Sequence, residues 1–370
     1  MDTHFDIIII GAGIAGATTA AAVSPDRRVA LVEAEEQAGY HTTGRSAAMW
    51  IQNYGPPDVR RLTGLSRAFF ESPPADFAGV PLMKRRPSVF LAPASQVRQL
   101  DELLAEGIGL RPIALDELRA MVPALRPDYA AAAAVEEDAF DMDVAAIHQG
   151  FLRQLRANDG VLTLRHRAGR IARRADTWEV HTSAGAIFRA PVVVNAAGAW
   201  GDEVAAIAGV RPLGLTPCRR TGIIVDPSPW DPSEWPVVGD VASTWYARPE
   251  ARTRLLVSPA DETPMHAHDV RPDELDVALG IDRMQAALAV EVHRVEHSWA
   301  GLRTFTPDGS FAFGWDAVAD GFFWCVGQGG YGIQTSPAAG KLVANLIVGR
   351  DPGEARDVAA AVDPRRFSKP

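Results

Sequence analysis

Four consecutive isoleucines, Ile7 to Ile10, form an apolar run of strand length with no polar alternation. Such a run predicts a parallel strand covered on both faces. A helical stretch follows it, then a second short apolar run, Val29 to Val32, so strand, helix and strand come in that order. Asp143 to Ala157 carries Ile147, Phe151 and Leu155 at helical spacing on one face. Further helices are predicted over residues 64–72, 96–106, 115–121, 272–292 and 336–348. Pro73-Pro74 ends the first of these and Pro123 follows the third.

Strands are predicted at 88–91, then in a run of short segments at 161–165, 171–174, 177–182 and 186–190, with Gly160 and Ala184-Gly185 as turns. Val192 to Asn195 and Phe322 to Val326 are two more apolar strands. Residues 213–300 are richer in proline and tryptophan and add strands at 219–225, 237–241, 245–248 and 254–257. Ala130 to Val135 reads as a packing run. Asp351 to Pro370 is polar, contains proline and reads as a partly ordered extension.

At 370 residues the chain is too long for one small core, so two domains or a composite one are expected. A net charge of −9 argues against nucleic acid or an anionic membrane as the main partner. No apolar run is long enough to predict a transmembrane segment. Met1-Asp2-Thr3-His4 has no basic region and leads into a strand, so no signal peptide is expected and the location is read as cytoplasmic. Cys218 and Cys325 stand far apart, which gives no disulfide framework and no metal spacing. Buried, reduced cysteines are expected, and no metal.

The chemistry enters between the first two strands, in Gly11-Ala12-Gly13-Ile14-Ala15-Gly16. Gly11 permits the tight turn. Gly13 lets backbone N–H groups approach a pyrophosphate, and Gly16 lets the helix pack on the strand. The helix N-terminus adds oriented donors and partial positive charge. Glu33, followed by Ala34, closes the second strand 17 residues after Gly16, where a carboxylate accepts from ribose hydroxyls. It would repel a 2′-phosphate, which disfavours NADP and leaves NAD and FAD open. Two later segments also suit a cofactor. Ala197-Gly198-Ala199-Trp200 ends a strand in small residues, and Gly327-Gln328-Gly329-Gly330-Tyr331-Gly332-Ile333 precedes a helix. Gly39-Tyr40-His41-Thr42-Thr43-Gly44-Arg45-Ser46-Ala47-Ala48 reads either as a second anion-contacting loop feeding a helix or as a plain surface loop.

Together, the segments at 11–16, 195–200 and 327–332 resemble the FAD-dependent D-amino acid oxidase/dehydrogenase superfamily, over nearly the whole chain. The 39–48 loop, Trp299 to Arg303, His148-Gln149-Gly150 and Gly209 to Leu215 look most like bacterial D-arginine dehydrogenase. The resemblance implies an α/β (α+β composite) fold. A Rossmann-like FAD-binding domain would comprise residues 1–80, 141–212 and 300–370. A substrate domain on a mixed or antiparallel sheet would comprise 81–140 and 213–299. It implies hydride transfer from the α-carbon of a D-amino acid to flavin N5, with hydrolysis of the imino acid to an α-keto acid and ammonia. FAD is expected to be noncovalent, although some relatives link it through a histidine in a loop comparable to that of His41. Whether oxygen or a quinone accepts the electrons depends on access to the ring, not on a motif.

By the same resemblance Arg303 grips the substrate carboxylate, with Tyr246 donating to it, Tyr54 near the amine and Arg220 close by. Structural alternatives stand beside each: an ion pair for Arg303, core positions for the tyrosines, a solvated strand position for Arg220. Gly330 and Tyr331 fall at the same site. The arginine-specific relative has histidine, tyrosine, threonine and glutamate where this chain has Met49, Trp50, Ile51 and Ser88. Loss of that glutamate predicts a preference for neutral, apolar side chains. Alternative readings are an oxidase or dehydrogenase of secondary or N-methyl amino acids, a flavoprotein that only passes electrons, and a nicotinamide dehydrogenase.

Overall fold

The computed structural model describes residues 3–367. Met1-Asp2 and residues 368–370, which begin and end the expectations for the two termini, lie outside it. Among the described residues Ile7–Ile10 is the centre of a six-stranded sheet, ordered Ala312–Trp315, Phe322–Val326, Val192–Asn195, Ile7–Ile10, Val29–Val32, Val161–Thr163. All neighbours are parallel except the first pair. Its unbroken apolar run follows from burial on both faces. Ile7 and Ile9 join a core with the helices, while Ile8 and Ile10 pack under the three-stranded sheet of Ala168–Arg174, Thr177–Thr182 and Ile187–Ala190. At about 1.5–3 kcal/mol per buried isoleucine, this strand anchors the domain.

Helix Ile14–Val23 packs against Val144–Ala157 and Ser336–Val348. Asp143 caps the second of these through its Oδ1, which accepts from Ala146 N at 2.8 Å. A mixed nine-stranded sheet forms the other half, ordered Thr263–Pro264, Thr216–Val225, Arg254–Ser258, Tyr246–Glu250, Val237–Asp240, Ser88–Ala92, Ala132–Glu136, Leu110–Ile113. Its ninth strand, His297–Phe305, pairs with Thr216–Val225 along its whole length.

The 299/300 position lies within the continuous strand His297–Phe305. Several expectations are corrected. The 39–48 loop feeds the short strand Met49–Trp50 rather than a helix. Ala132–Glu136 is an interior strand, next to the edge strand of the large sheet, and the helix at 272–292 is confined to Glu274–Ala287. Residues 351–367 are not a loose extension: Ala355, Val358 and Val362 are buried in the main core. No helix among the described residues is long and apolar enough to cross a membrane. Both cysteines are free and buried, and burial pushes the Cys325 thiol up to about 12.

Candidate active site

One cavity of about 320 Å³ runs from the end of the Ile7–Ile10 strand to the face of the nine-stranded sheet. At the first end, Gly13 starts helix Ile14–Val23 with no side-chain cap of its own; Thr43 takes the Ile14 N–H, and the other N–H groups of the first turn are left to a ligand. Gly16 permits this helix to sit where it does, since a Cβ there would lie 1.8 Å from the Gly11 carbonyl oxygen. Thr43 Oγ1 accepts from Ile14 N at 2.9 Å and joins the 39–48 loop to the glycine turn. Glu33 stands at the end of the second strand. Its two oxygens accept from Ala12 N at 2.7 Å and Glu35 N at 3.0 Å, which fixes the carboxylate at the cavity wall.

The 39–48 loop is tied down rather than solvated. Arg45 Nη1 donates to Ala300 O at 3.1 Å and Val270 O at 3.2 Å, and Nη2 pairs with Asp269. Thr42 Oγ1 donates to Leu302 O at 2.6 Å. Both contacts clamp the loop onto the strand that bears Arg303. His41 Nε2 lies 3.1 Å from Glu35 Oε1, and its ring centroid is 4.4 Å from that of Trp200.

At the other end Arg303 is half-buried in the cavity wall. Its Nη1 donates to Tyr54 Oη at 2.8 Å. No carboxylate pairs with it among the described residues. Burial opposes its charge, but the oxygens of Tyr54, Tyr246 and Tyr331 outweigh that and hold its pKa above the ordinary value. Burial alone would raise the Tyr54 hydroxyl, yet Arg303 and Arg220 bring it below the usual tyrosine range. Burial pushes Tyr331 up. Gly330 lets the arginine stand where it does, because a Cβ there would lie 2.7 Å from Nη1 and push the guanidinium aside. Gly329 N, donating to Thr304 O at 2.9 Å, fastens the glycine loop to the strand. Thr304 Oγ1, also at the cavity, is buried without a partner.

Most of the residues expected at a cofactor are on the wall: Gly11, Gly13 to Ala15, Glu33, Ala34, His41 to Thr43, Arg45 to Ala47, Ala197, Gly198, Trp200, Gly301, Gly329, Gly330, Gly332 and Ile333. Gly16, Gly44, Ala48, Gly327 and Tyr331 stand behind it. The Gly44 amide donates to Gly39 O at 2.7 Å, and Ala48 packs on the main core. Tyr246 and Arg220 line the cavity with Arg303. Tyr54 reaches it through its contact with Arg303, and the rings of Tyr54 and Tyr331 are 5.1 Å apart, edge to face.

Met49, Trp50, Ile51 and Ser88 are not brought to the wall. Trp50 is a core residue whose Nε1 donates to Thr63 O at 3.2 Å, with its ring against Phe140. Met49 pairs in a small sheet with Asp141, and the Ile51 amide points to Gln334 Oε1 at 3.4 Å. Ser88 is buried between Val237 and Glu136 in the large sheet. Sequence reasoning missed Glu262, Glu136, Asn53 and Thr304. Asn53 precedes Tyr54 directly, and His148 belongs to the His148-Gln149-Gly150 segment. Nothing in the spacing of the two glutamates marked them, because their partners, Arg220 for Glu262 and residues 52–53 for Glu136, are distant in sequence.

Fixed backbone donors, a seated ribose acceptor and a threonine hydroxyl without a partner among the described residues, all at one cavity, suit a flavin dinucleotide. Residues 6–346 match the family described as FAD dependent oxidoreductase, DAO, and the chain belongs to that family. FAD is its cofactor. Among curated relatives it is 29% identical over 175 residues to the FAD-dependent oxidoreductase domain-containing protein 1 of Xenopus laevis, covering 42% of this chain and 34% of that protein. The chain spans about a third to a half of the length of the curated relatives it matches. Its fold is similar to that of glycine oxidase from Geobacillus kaustophilus, with a TM-score of 0.83 and 22% identity over 95% of this chain and 96% of that one. L-proline dehydrogenase from P. horikoshii is similar too, with a TM-score of 0.84 and 20% identity over 100% and 99%.

Proposed function

We propose that the protein oxidises an α-amino acid, with the substrate carboxylate seated on Arg303. The observation that carries this reading is a guanidinium in the cavity wall that has tyrosines around it and, among the described residues, no carboxylate of its own. A desolvated cation of this kind is completed by an anionic ligand. Arg303 offers a planar fork for two parallel hydrogen bonds. Its Nη1 contact orders Tyr54 beside the same anion, and Tyr246 stands on the adjoining wall. Fixing the carboxylate at these points fixes the orientation of the α-carbon, which is where positioning contributes to rate. When bound, FAD supplies the acceptor for the hydride equivalent leaving that carbon.

The likeness to D-arginine dehydrogenase in the 39–48 and 299–303 segments supports the D configuration. A preference for apolar side chains rested on Met49, Trp50, Ile51 and Ser88. With those four off the wall, they do not set the side-chain class. A secondary amine is the second reading, because the same carboxylate grip serves it and L-proline dehydrogenase shares the fold. FAD is proposed to be noncovalent, so acid precipitation should leave a yellow supernatant and a white pellet.

Anaerobic mixing with D- and L-amino acids and N-methyl amino acids, followed at the visible flavin band, tests the reading. Bleaching by D-amino acids supports it. Bleaching only by secondary amines moves the protein to the second reading, and bleaching by none removes both.

A further inference from the structure

Two guanidiniums open on the substrate end of the cavity. In the antiparallel pairing of Thr216–Val225 with His297–Phe305, Arg220 stands opposite Gly301 and Cys218 opposite Arg303. Arg220 and Arg303 are therefore diagonal neighbours on one face of the sheet, about 7–8 Å apart at the backbone. Both line the cavity.

Their partners differ. Among the described residues Arg303 has no carboxylate partner. Arg220 Nη2 donates to Glu262 Oε1 at 2.6 Å, and its Nε donates to the Asp261 carbonyl oxygen at 2.8 Å. The Glu262 carboxylate is not paired with Arg303, so a carboxylate position exists on Arg220 that is separate from the one on Arg303. The side chain of Glu262 is 56% exposed, whereas that of Arg220 is 11% exposed. An ion pair with one exposed, flexible member contributes little and is easily exchanged. Arg220 is held in place by the Asp261 backbone, while Glu262 can turn into water.

We propose that the substrate is an amino dicarboxylate. Its α-carboxylate sits on Arg303 and its second carboxylate takes the place of Glu262 on Arg220. Glu262 thus occupies the second subsite in the absence of substrate and sets the side-chain class that the site admits. The proposal rests on the α-amino acid reading above and deepens it.

The test uses the FAD-loaded protein and two readouts. First, the oxidised flavin band is titrated with acids that cannot be oxidised, acetate and propionate against succinate and glutarate. Second, anaerobic flavin reduction is compared for alanine and norvaline against aspartate and glutamate, in both configurations. Dicarboxylates are expected to bind and react at least tenfold more favourably than monocarboxylates. Glu262→Gln should widen that ratio several-fold by removing the competing anion, and Arg220→Gln should collapse it. If the wild-type protein shows no preference while amino acids still bleach the flavin, the inference fails and the proposed function stands. If Arg220→Gln weakens both classes by the same factor, the two arginines close on a single carboxylate and the inference is overturned. If dicarboxylates perturb the band preferentially but no amino acid reduces it, the two-anion site stands and the amino acid reading falls.

Discussion

The Nδ2 of Asn53 donates to the buried carboxylate of Glu136 at 2.7 Å, one residue before Tyr54. The same carboxylate accepts from Gln52 N at 2.5 Å and Asn53 N at 3.3 Å. The Asn53 side chain also bridges to the backbone of Ile108, accepting from its N at 2.7 Å and donating to its O at 2.8 Å. Residues 52–54 are thus fastened to strand Ala132–Glu136 of the nine-stranded sheet, and Tyr54 is presented to Arg303 from this fixed point. Burial pushes the Glu136 carboxyl up, which the three donors oppose.

Glu136→Gln replaces one acceptor oxygen with a donor that faces other donors, leaving a buried N–H unsatisfied at a cost of about 1–3 kcal/mol. The expected result is a roughly tenfold higher KM for the substrate, with a smaller effect on kcat. Tyr54→Phe should do much the same. If Glu136 acts through Tyr54, the double variant is little worse than either single one. Fully additive effects in such a cycle would show that Glu136 supports the fold without positioning the tyrosine.

Arg303→Lys keeps a positive charge but loses the planar fork and the donor to Tyr54. Truncating one partner of a buried charged contact costs about 2–5 kcal/mol, so kcat/KM should fall by about 10²–10³-fold. The flavin spectrum should still be present, and anion-induced perturbation of the band should weaken in parallel. A variant with near wild-type kcat/KM would remove Arg303 from the carboxylate site.

The cofactor half of the site was legible in the sequence because its parts are local. Gly11 to Gly16, Ile7 to Ile10 and Glu33 lie within one strand–helix–strand unit, and the spacing itself implies the ligand. The substrate half was legible only in part. Arg303 and Tyr54 were reached through family likeness, and their contact depends on a strand and a loop 249 residues apart. Glu262 and Glu136 carried no local mark, since Glu262 meets Arg220 across neighbouring chain segments and Glu136 meets Asn53 through long-range hydrogen bonds from a turn. Trp50 and Ser88 show the converse. Their positions suggested a pocket wall, but the indole fills the core beside Phe140 and the serine lies inside the sheet.

The two glycines that shape the dinucleotide end should separate experimentally. A Cβ on Gly16 would meet the Gly11 carbonyl oxygen at 1.8 Å, and neither backbone can yield. Gly16→Ala is expected to cost more than about 3 kcal/mol and to give little folded protein. A Cβ on Gly13 meets only Thr43 Oγ1, at 3.3 Å, which a small side-chain shift relieves. Gly13→Ala should fold and retain FAD less tightly, as read by flavin release on dilution. Equal soluble yields from the two variants would contradict this geometry.

His148 links stability to pH at the cofactor end. It is 4% exposed, and its Nε2 donates to the Ala12 carbonyl oxygen at 2.9 Å, inside the glycine turn. Burial lowers its pKa below 6.5, and the contact with Ala12 only partly opposes this. In the folded chain the ring therefore stays neutral at pH values where the unfolded chain takes up a proton. As pH falls from 6.5 towards the folded value, stability is lost at up to about 1.4 kcal/mol per pH unit, and the loss levels off below the folded value. Above 6.5 the group makes no pH-dependent contribution. Glu136 and Asp261, acids raised by burial, act with the opposite sign but are common to the wild type and a His148 variant. Melting curves between pH 5 and 8 should show Tm falling below pH 6.5 more steeply for the wild type than for His148→Asn. FAD release should follow the same trend, because the protonated ring is disfavoured directly under the turn that faces the dinucleotide. Parallel Tm–pH curves for the two proteins would show that His148 titrates alike in the folded and unfolded chain.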